Sequence, residues 1–402
     1  MKKLATTYLS RRRRAALCQQ AVAMAALLGG LPALHAAELS WSGFATAGYA
    51  VSDRSYRYER YVDRSGSFER DSLAGVQLVA ELAPRWSATV QATLAPSVSN
   101  DQRWDARLQW AFLSYRLSND TLLRAGKLRM PMYLFSENMQ VGASYAVMHL
   151  PTEVYSTAPT NDYTGLAFSR NWALAAGELG LEAYAGRTSL TARAQPGASS
   201  AGELHTRSGG VVLAYRNEDD VWRMGWQRAR IRVDGMGQGS APAAGTQGGS
   251  DIAPGVPQGG DSDGIDTRVA LLGADLHFDG DWRVLGEYAW RHAPHAVTPK
   301  NSQGAYLTLL RPVGKWTPYV TLARLLSDRA ARIAEGTRGG VDDQRSLALG
   351  AAYSLSPSSK FKLEWMHVQI GTSSSLIDHG MGTAVVQHQG LNLLSASYSV
   401  VF

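Results

Sequence analysis

The side chains of this 402-residue chain that could do chemistry are concentrated in one long segment, residues 129–162. It supplies Arg129, Tyr133, Glu137, Tyr145, His149, Glu153, Tyr155 and Asp162. Irregular stretches of this length within a compact domain are usually functional. Charges held at a narrow point act strongly on ions, because a low-dielectric wall focuses their field. The segment therefore predicts a functional loop, and a surface loop whose charges are solvated is the alternative.

A second set of charged residues lies on predicted strands elsewhere in the chain. Its members are Arg116, Arg124, Arg223, Asp275, Arg283, Glu287, Lys362 and Glu364, and Lys127 joins them beside the long segment. Residues two or four apart on a strand share a face, so Arg283 shares one with Glu287 and Lys362 shares one with Glu364. The first eight comprise five basic and three acidic residues. This excess weakly favours anionic solutes.

The histidines beyond the N-terminal segment lack a catalytic context. They are His149, His205, His277, His292, His295, His367, His379 and His388. None lies in a G-x-S-x-G or H-E-x-x-H motif, which would indicate a serine nucleophile or a zinc site. We therefore expect no enzyme activity, no metal and no cofactor, and a hydrolase is the least favoured alternative.

The first 37 residues have the pattern of a secretory signal peptide. Six basic residues precede an apolar stretch from Ala21 to Leu34, and Ala36 and Ala37 offer the cleavage site. An N-terminal membrane anchor is disfavoured because the stretch is short for a span. A lipoprotein anchor at Cys18 is disfavoured because the apolar stretch follows that cysteine.

Removal of this segment changes the charge balance. The whole chain has 40 basic and 34 acidic residues, and residues 1–37 carry six of the basic ones and none of the acidic ones. The exported chain, residues 38–402, is then close to neutral, so its charge does not indicate nucleic-acid binding. It also lacks cysteine, which excludes disulfides and thiolate chemistry.

Alternating apolar and polar residues predict β-strands through the rest of the chain. Residues 86–94 place Trp86, Val90 and Leu94 on one face, with Thr89 and Gln91 on the other. Seven short polar turns alternate with eight longer segments, which gives sixteen strands. Short turns on one side and long loops on the other are typical of an outer-membrane barrel. The predicted fold is all-β, a transmembrane antiparallel β-barrel of about 16 strands with long extracellular loops.

Aromatic residues support this interpretation independently. Strands leaving the short turns begin near a ring, as at Trp86, Trp222, Trp282 and Trp316, and several returning strands end in one. Such rings gather where a protein crosses a membrane interface. A sheet in lipid must close to satisfy its backbone, and sixteen strands leave an aqueous bore. The polar face of each strand is therefore predicted to meet water inside.

The chain resembles Gram-negative outer-membrane porins of the sixteen-stranded trimeric type. The resemblance rests on the export signal, the strand count and the final strand, in which Tyr398, Val400 and Phe402 alternate to an aromatic C-terminus. The run from Gly126 to Pro131 resembles the approach to the third loop of porins, including phosphate-selective ones. The resemblance implies a third loop folded into the bore, a homotrimer, and recognition of the C-terminal strand by the assembly machinery.

Two segments are harder to interpret. Arg228, Arg230 and Arg232 share a face with Trp222 and Trp226, and arginines facing lipid at mid-depth would cost about 2–4 kcal/mol each. Either the strand rises above the bilayer, which we favour, or a bulge switches its faces. The arginines would then line the outer vestibule or bind lipopolysaccharide phosphates.

Residues 234–266 are rich in Gly and Pro, a composition that predicts a surface loop.

These observations together predict a passive channel for ions and small hydrophilic solutes, localised in the outer membrane. The expected surroundings are outer-membrane lipid and lipopolysaccharide. An adhesin or surface receptor is the main alternative, because exposed loops can mediate adhesion and no sequence motif identifies the loops that do so.

Overall fold

The computed structural model describes residues 38–101, 103–193, 201–234, 264–293, 301–329, 332, 341–378 and 385–402. The predicted signal peptide, Cys18 and nearly all of the 234–266 loop lie outside these residues. Sixteen long strands occur within the described ranges. In chain order they are β1 Glu38–Ser52, β2 Leu73–Ala83, β3 Trp86–Pro96, β4 Trp104–Ser118, β5 Thr121–Arg129, β6 Asp162–Leu174, β7 Gly177–Arg193, β8 Ala201–Arg216, β9 Val221–Asp234, β10 Ile265–Phe278, β11 Trp282–His292, β12 Ser302–Leu310, β13 Trp316–Ser327, β14 Asp343–Ser356, β15 Ser359–Ile370 and β16 Gly390–Val401.

The sixteen strands form a closed antiparallel barrel, which confirms the predicted fold class. Each strand pairs with its neighbour in sequence, and β16 closes the sheet by pairing with β1 from Phe44↔Val401 to Ser52↔Leu393. The seven short turns fall where the alternation predicted them, for example at residues 84–85 and 357–358. Closure leaves no strand edge unpaired, as a sheet in lipid requires.

The third loop contains the two short helical segments whose full bounds the structure describes. They are a 3₁₀ turn, Gly142–Ser144, and one short helix, α1, Thr152–Tyr155. Among the described residues, no helix combines the length and the apolar character needed to span a membrane.

The outer face of the barrel carries the apolar residues of the alternation. In β16, Leu394 and Tyr398 are exposed whereas Ser395, Ser397 and Ser399 are buried. The ring of aromatic side chains near the short turns is also present. Trp86 lies 4.5 Å from Tyr115 and Trp316 lies 4.7 Å from Tyr353, between ring centroids. The alternation therefore predicted correctly which side chains face outwards.

The inner face differs from the expectation of a wall lined throughout by polar, hydrated side chains. Val269, Leu271 and Leu285 point inwards on β10 and β11 and are buried in one large apolar cluster with residues of the third loop. Apolar side chains can face the bore because the loop covers them and excludes water there. A strand-by-strand reading could not show this covering.

Strand β9 settles one of the two alternatives for the arginine row. Its register with β8 runs unbroken from Val221↔Arg216 to Asp234↔Glu203, and with β10 from Val221↔Asp275 to Ile231↔Ile265. Strand β9 therefore contains no bulge. Arg228 and Arg230 lie on its outward face together with Trp222 and Trp226, and all four side chains are exposed.

Candidate functional site

The third loop, residues 130–161, connects β5 to β6 by a path through the inside of the barrel. Its apolar side chains, including Met132, Leu150 and Val154, are buried against the inward face of β7 to β13. The loop approaches the wall closely at Gly304 of β12, where any Cβ atom would collide with the carbonyl oxygen of Glu153. The predicted inward-folded third loop is confirmed, and the alternative of a loop lying over the mouth is wrong.

The start of the loop is set by the segment from Gly126 to Pro131. Gly126 has φ 137°, a conformation that side-chain-bearing residues rarely adopt. A Cβ atom there would also collide with the carbonyl oxygen of Ala111 on the neighbouring strand. Pro131 follows directly after the strand ends, where its missing N–H removes no ladder bond. These residues let the chain leave the wall and enter the bore.

Two predicted wall residues anchor the first half of the loop. Arg223 of β9 donates from Nε to the carbonyl of Met132 at 3.2 Å and from Nη2 to that of Pro131. Glu287 of β11 accepts the main-chain N–H of Leu134 at 2.8 Å and the hydroxyl of Tyr306 at 2.9 Å. Glu287 is therefore buried beneath the loop, whereas the sequence suggested a residue lining the water-filled bore.

His149 anchors the second half of the loop. Its Nδ1 lies 2.7 Å from Glu364 of β15, and its Nε2 lies 2.7 Å from Asp71 of the first loop. Glu364 also accepts the hydroxyl of Tyr319 at 2.7 Å. Lys362, two residues before Glu364, donates to the carbonyl of Val147 at 2.7 Å. Lys362 and Glu364, which were predicted to line the bore, are thus buried under the loop.

The two carboxylates change the protonation of the imidazole. Burial and the nearby Arg70 charge lower the pKa of His149, but Asp71 and Glu364 together raise it more, from 6.5 to about 9. Burial raises the pKa of Asp71, but the charge and hydrogen bond of His149 together with the charges of Arg70 and Lys362 outweigh this effect and leave that pKa lowered. At neutral pH the site therefore contains an imidazolium held between two carboxylates.

Helix α1 is held by a second polar group. The Glu153 carboxylate accepts the Gln344 amide at 2.9 Å and the Ser346 hydroxyl at 2.7 Å, both from β14. Burial raises the pKa of Glu153, and the hydrogen bonds from Ser346 and Gln344 only partly oppose this effect. The neighbouring Thr152 donates to Glu59 of the first loop at 2.8 Å. The helix is thus fixed both to the wall and to another loop.

The first and eighth loops also enter the barrel, which the sequence analysis did not anticipate. Arg57–Tyr58 and Ile377–Asp378 pair as a small two-stranded sheet. Tyr58 and Val62 pack with inward residues of β15, such as Val368. The first loop is closed internally by the Arg70–Glu59 ion pair at 2.6 Å. One feature of the sequence could have predicted this arrangement. The inward positions of β15 include the apolar residues Met366, Val368 and Ile370, which must be covered by another segment if they are not to face water.

The remaining predicted residues are dispersed. Arg124 pairs with Glu182 at 2.6 Å, and Arg283 pairs with Asp275 through two contacts of 2.7 and 2.5 Å. Arg129 donates to Gln109 and Gln140. The others are Arg116, exposed beside a short turn, and Glu137, exposed on the third loop.

Lys127 corrects the sequence-based set. It lies three residues after Arg124 on β5, so it points to the opposite face. It pairs there with Asp162 at 2.9 Å. The prediction that Lys127 and Arg124 line the same bore is therefore wrong, because their odd spacing on one strand separates them.

Across the described ranges, no three His, Cys, Asp or Glu side chains come together in an arrangement that could hold a metal ion. The site consists instead of a loop clamped across a bore by charged and aromatic side chains.

A closed sixteen-stranded barrel with an apolar outer band and an inserted third loop defines a class, the outer-membrane channels. The sequence profile of the Gram-negative porins matches residues 21–370, most of the chain, and the chain belongs to this family. It is accordingly a porin of the outer membrane that forms a channel for solutes. No curated protein sequence matches the chain significantly.

Solved structures show the same fold at low sequence identity. The anion-selective porin from Comamonas acidovorans is 12% identical with a TM-score of 0.56, covering 91% of this chain and 100% of that one. The outer membrane channel DcaP of Acinetobacter baumannii is 9% identical with a TM-score of 0.55, covering 93% and 99%. OmpT of Vibrio cholerae in its trimer form is 11% identical with a TM-score of 0.54, covering 91% and 100%.

Proposed function

We propose that this porin is a passive, water-filled diffusion channel for ions and small hydrophilic solutes, with a weak preference for anions. The observation that carries the proposal is a barrel interior that the third loop covers unevenly. Inward residues of β11 to β13, such as Leu285, Tyr306 and Tyr319, are buried beneath the loop. Some inward residues of β2 and β5, Gln77 and Arg124 among them, remain partly exposed, whereas inward residues of β3 such as Gln91 are buried. Solutes would pass along this uncovered sector.

The preference for anions is supported by the exposure of the paired charges. The Arg283 side chain is 33% exposed and that of its partner Asp275 is 13% exposed. Arg223 donates to main-chain carbonyls, and among the described residues no carboxylate forms an ion pair with it, although Glu182, Glu137 and Glu287 act on its charge from further away. Lys360, which also points inwards on β15, is partly exposed. A passing anion would therefore meet more accessible positive than negative charge, and such charge sets ion selectivity.

Export and assembly complete the proposal. Residues 1–37 would act as a cleaved signal peptide. The alternating Tyr398, Val400 and Phe402 would serve as the recognition signal for the assembly machinery. The chain would assemble as a homotrimer, and OmpT of Vibrio cholerae, whose structure has the same fold, forms a trimer. Native mass spectrometry of the detergent-solubilised porin tests the trimer directly.

The enzyme alternative is not favoured by the geometry of His149. Both ring nitrogens lie 2.7 Å from carboxylate oxygens. A histidine that activates a serine needs one nitrogen free to take the serine proton. His149 is thus a clamp between loops, and we propose that the porin has no catalytic activity.

Planar-bilayer conductance of the purified porin under asymmetric salt tests the proposal. We expect stepwise ion currents and a reversal potential displaced towards that of the anion. Absence of conductance steps would contradict a channel and would favour the adhesin alternative. Steps with a reversal potential displaced towards the cation would retain the channel and overturn the anion preference.

A further inference from the structure

A groove of about 600 Å³ lies on the outer surface of the barrel, across β12 to β15. Its lower part is lined by Leu307, Leu322 and Leu347, and its upper part by Arg324, Arg345 and His367. Leu307 and Leu322 are more than half exposed, which is expected of side chains that face lipid. The groove is thus apolar along one part and cationic at one end, and it lies on the side of the wall that faces lipid.

The cationic end has two arginines in directly opposed positions. Arg324 of β13 pairs in register with Arg345 of β14, and both are exposed. Within the described part of the chain neither arginine has an ion-pair partner. The nearby Asp343 carboxylate is occupied by the hydroxyl and N–H of Thr372 and by Arg332 at 3.5 Å. Like charges opposite each other destabilise a sheet, and an anion bound between them would remove that cost.

The height of these arginines matches a lipid headgroup region. Arg324 follows Trp316, of the aromatic ring at the short turns, by eight residues on β13. At about 3.4 Å per residue and a tilt of about 40°, this places Arg324 roughly 20 Å above that ring. The apolar band of such barrels is about 25 Å tall. Arg324 therefore lies near the outer-leaflet interface, where an arginine is tolerated.

Other strands of the barrel also carry basic residues on the outer face. Arg187, Arg207 and Arg230 occupy directly opposed positions on β7, β8 and β9. Arg228 is opposed to Arg268 of β10 and pairs with Asp266 at 2.9 Å. The outer surface is thus rich in arginine towards the ends of several strands, which is complementary to an anionic lipid layer.

We propose that this groove binds the phosphorylated, acylated glycolipid anchor of lipopolysaccharide. One phosphate would lie between Arg324 and Arg345, because guanidinium groups bind phosphate oxygens with two parallel hydrogen bonds. An acyl chain would lie along Leu307, Leu322 and Leu347. Ala305, directly opposite Arg324, leaves room for the headgroup. The site is on the outer face of the wall and is independent of solute passage.

The test measures binding of bisphosphorylated lipid A to the purified, detergent-solubilised porin by native mass spectrometry. We expect the double variant Arg324→Gln/Arg345→Gln to lose affinity by about tenfold or more. Dephosphorylated lipid A should bind the native porin as weakly as lipid A binds the variant. Arg170→Gln is the matched control, since Arg170 lies against Trp172 near the opposite interface, and it should bind lipid A normally.

A second variant, Ala305→Phe, fills the groove without changing its charge and should also weaken lipid A binding. Equal binding by the double variant and the native porin, or by lipid A with and without its phosphates, would overturn the proposal. The proposal would also be overturned if inorganic phosphate bound at Arg324 and Arg345 and lipid A did not displace it. The double variant should conduct ions normally, so a failure of conduction would bear on the channel function and not on this site.

Discussion

His149 shows how a single residue can join two loops and the barrel wall. The imidazolium lies between Asp71 of the first loop and Glu364 of β15. Arg70 and Lys362 also act electrostatically on this group, the former on His149 and the latter on Asp71. Loss of the histidine charge would leave two buried carboxylates facing each other, which is strongly unfavourable. The attachment of the second half of the third loop therefore depends in part on the protonation of His149.

The porin should hold its third loop tightly at pH 6 and release it as the pH rises through about 9. Because the pKa of His149 is raised from 6.5 to about 9, its stabilising effect is fully present below 6.5 and is lost above 9. Limited proteolysis within the loop, followed by mass spectrometry across this range, measures the change. His149→Gln should be cleaved at pH 6 already, since removing one member of a buried ion pair costs about 3–5 kcal/mol. Equal protection of the native loop at pH 6 and pH 10 would contradict this prediction.

Reversing one exposed lumen charge should shift selectivity towards cations. Arg283→Glu is expected to move the reversal potential more than Arg124→Glu, because the Arg283 side chain is 33% exposed and that of Arg124 is 19% exposed. Bilayer recordings under asymmetric salt measure both variants. Arg170→Glu, on the outer face, is the control and should leave the potential unchanged. No shift in either lumen variant would remove these residues from the solute path.

At the scale of elements, the third loop packs against the inner face of the barrel and shares one apolar core with it. Apolar side chains of the loop and inward apolar residues of β7 to β13 form one buried cluster. Polar anchors lie at both ends of this cluster, at Glu287 and at His149. Apolar burial supplies stability without direction, whereas the hydrogen-bonded anchors fix the position of the loop. The loop is thus a rigid constriction.

Widening the bore should be possible by displacing α1 from the wall. Gly304→Ala places a methyl group against the Glu153 carbonyl oxygen, and such overpacking costs about 1–3 kcal/mol. We expect α1 to shift and single-channel conductance to change, with noisier currents. Gly286→Ala on β11 is the control, since its Cβ would lie at 3.3 Å from the nearest atom, which a small adjustment can accommodate. Conductance of Gly304→Ala identical to that of the native porin would show that α1 does not limit the flow.

At the scale of the whole molecule, the first and last strands, β1 and β16, join to close the barrel. Gly43 and Phe402 exchange main-chain hydrogen bonds of 2.7 and 2.9 Å, and the Phe402 ring lies 6.2 Å from that of Trp41. Closure is needed because an open edge in lipid would leave donors and acceptors unsatisfied. Phe402 therefore completes the main-chain pairing that closes the sheet.

Phe402→Ala should lower the amount of folded barrel in the outer membrane while leaving the folded form stable. The main-chain bonds to Gly43 do not require the ring, whereas recognition by the assembly machinery is proposed to require it. Electrophoretic mobility with and without heating separates folded from unfolded porin in cell envelopes. Leu394→Ala, another exposed apolar position on β16, is the control. Equal losses in both variants would show that Phe402 has no special role in assembly.

The sequence by itself determined the barrel. Alternation along β3 and β16 assigned the outward face, and the alternation of short turns with long segments gave the strand number, because both patterns follow from local backbone geometry. It also placed Arg283 on the face of Glu287. The alternation could not distinguish an inward charged residue that meets water from one that is buried under a loop.

Only the tertiary structure decided which inward residues meet solvent. Glu287, Lys362 and Glu364 became anchors because the third loop crosses the bore and covers them. The first and eighth loops pair with each other through Arg57–Tyr58 and Ile377–Asp378, more than 300 residues apart. Contacts between segments so distant in sequence leave no periodic trace along the chain. They form only when closure brings the loops into one confined space, where burying apolar surface favours their packing.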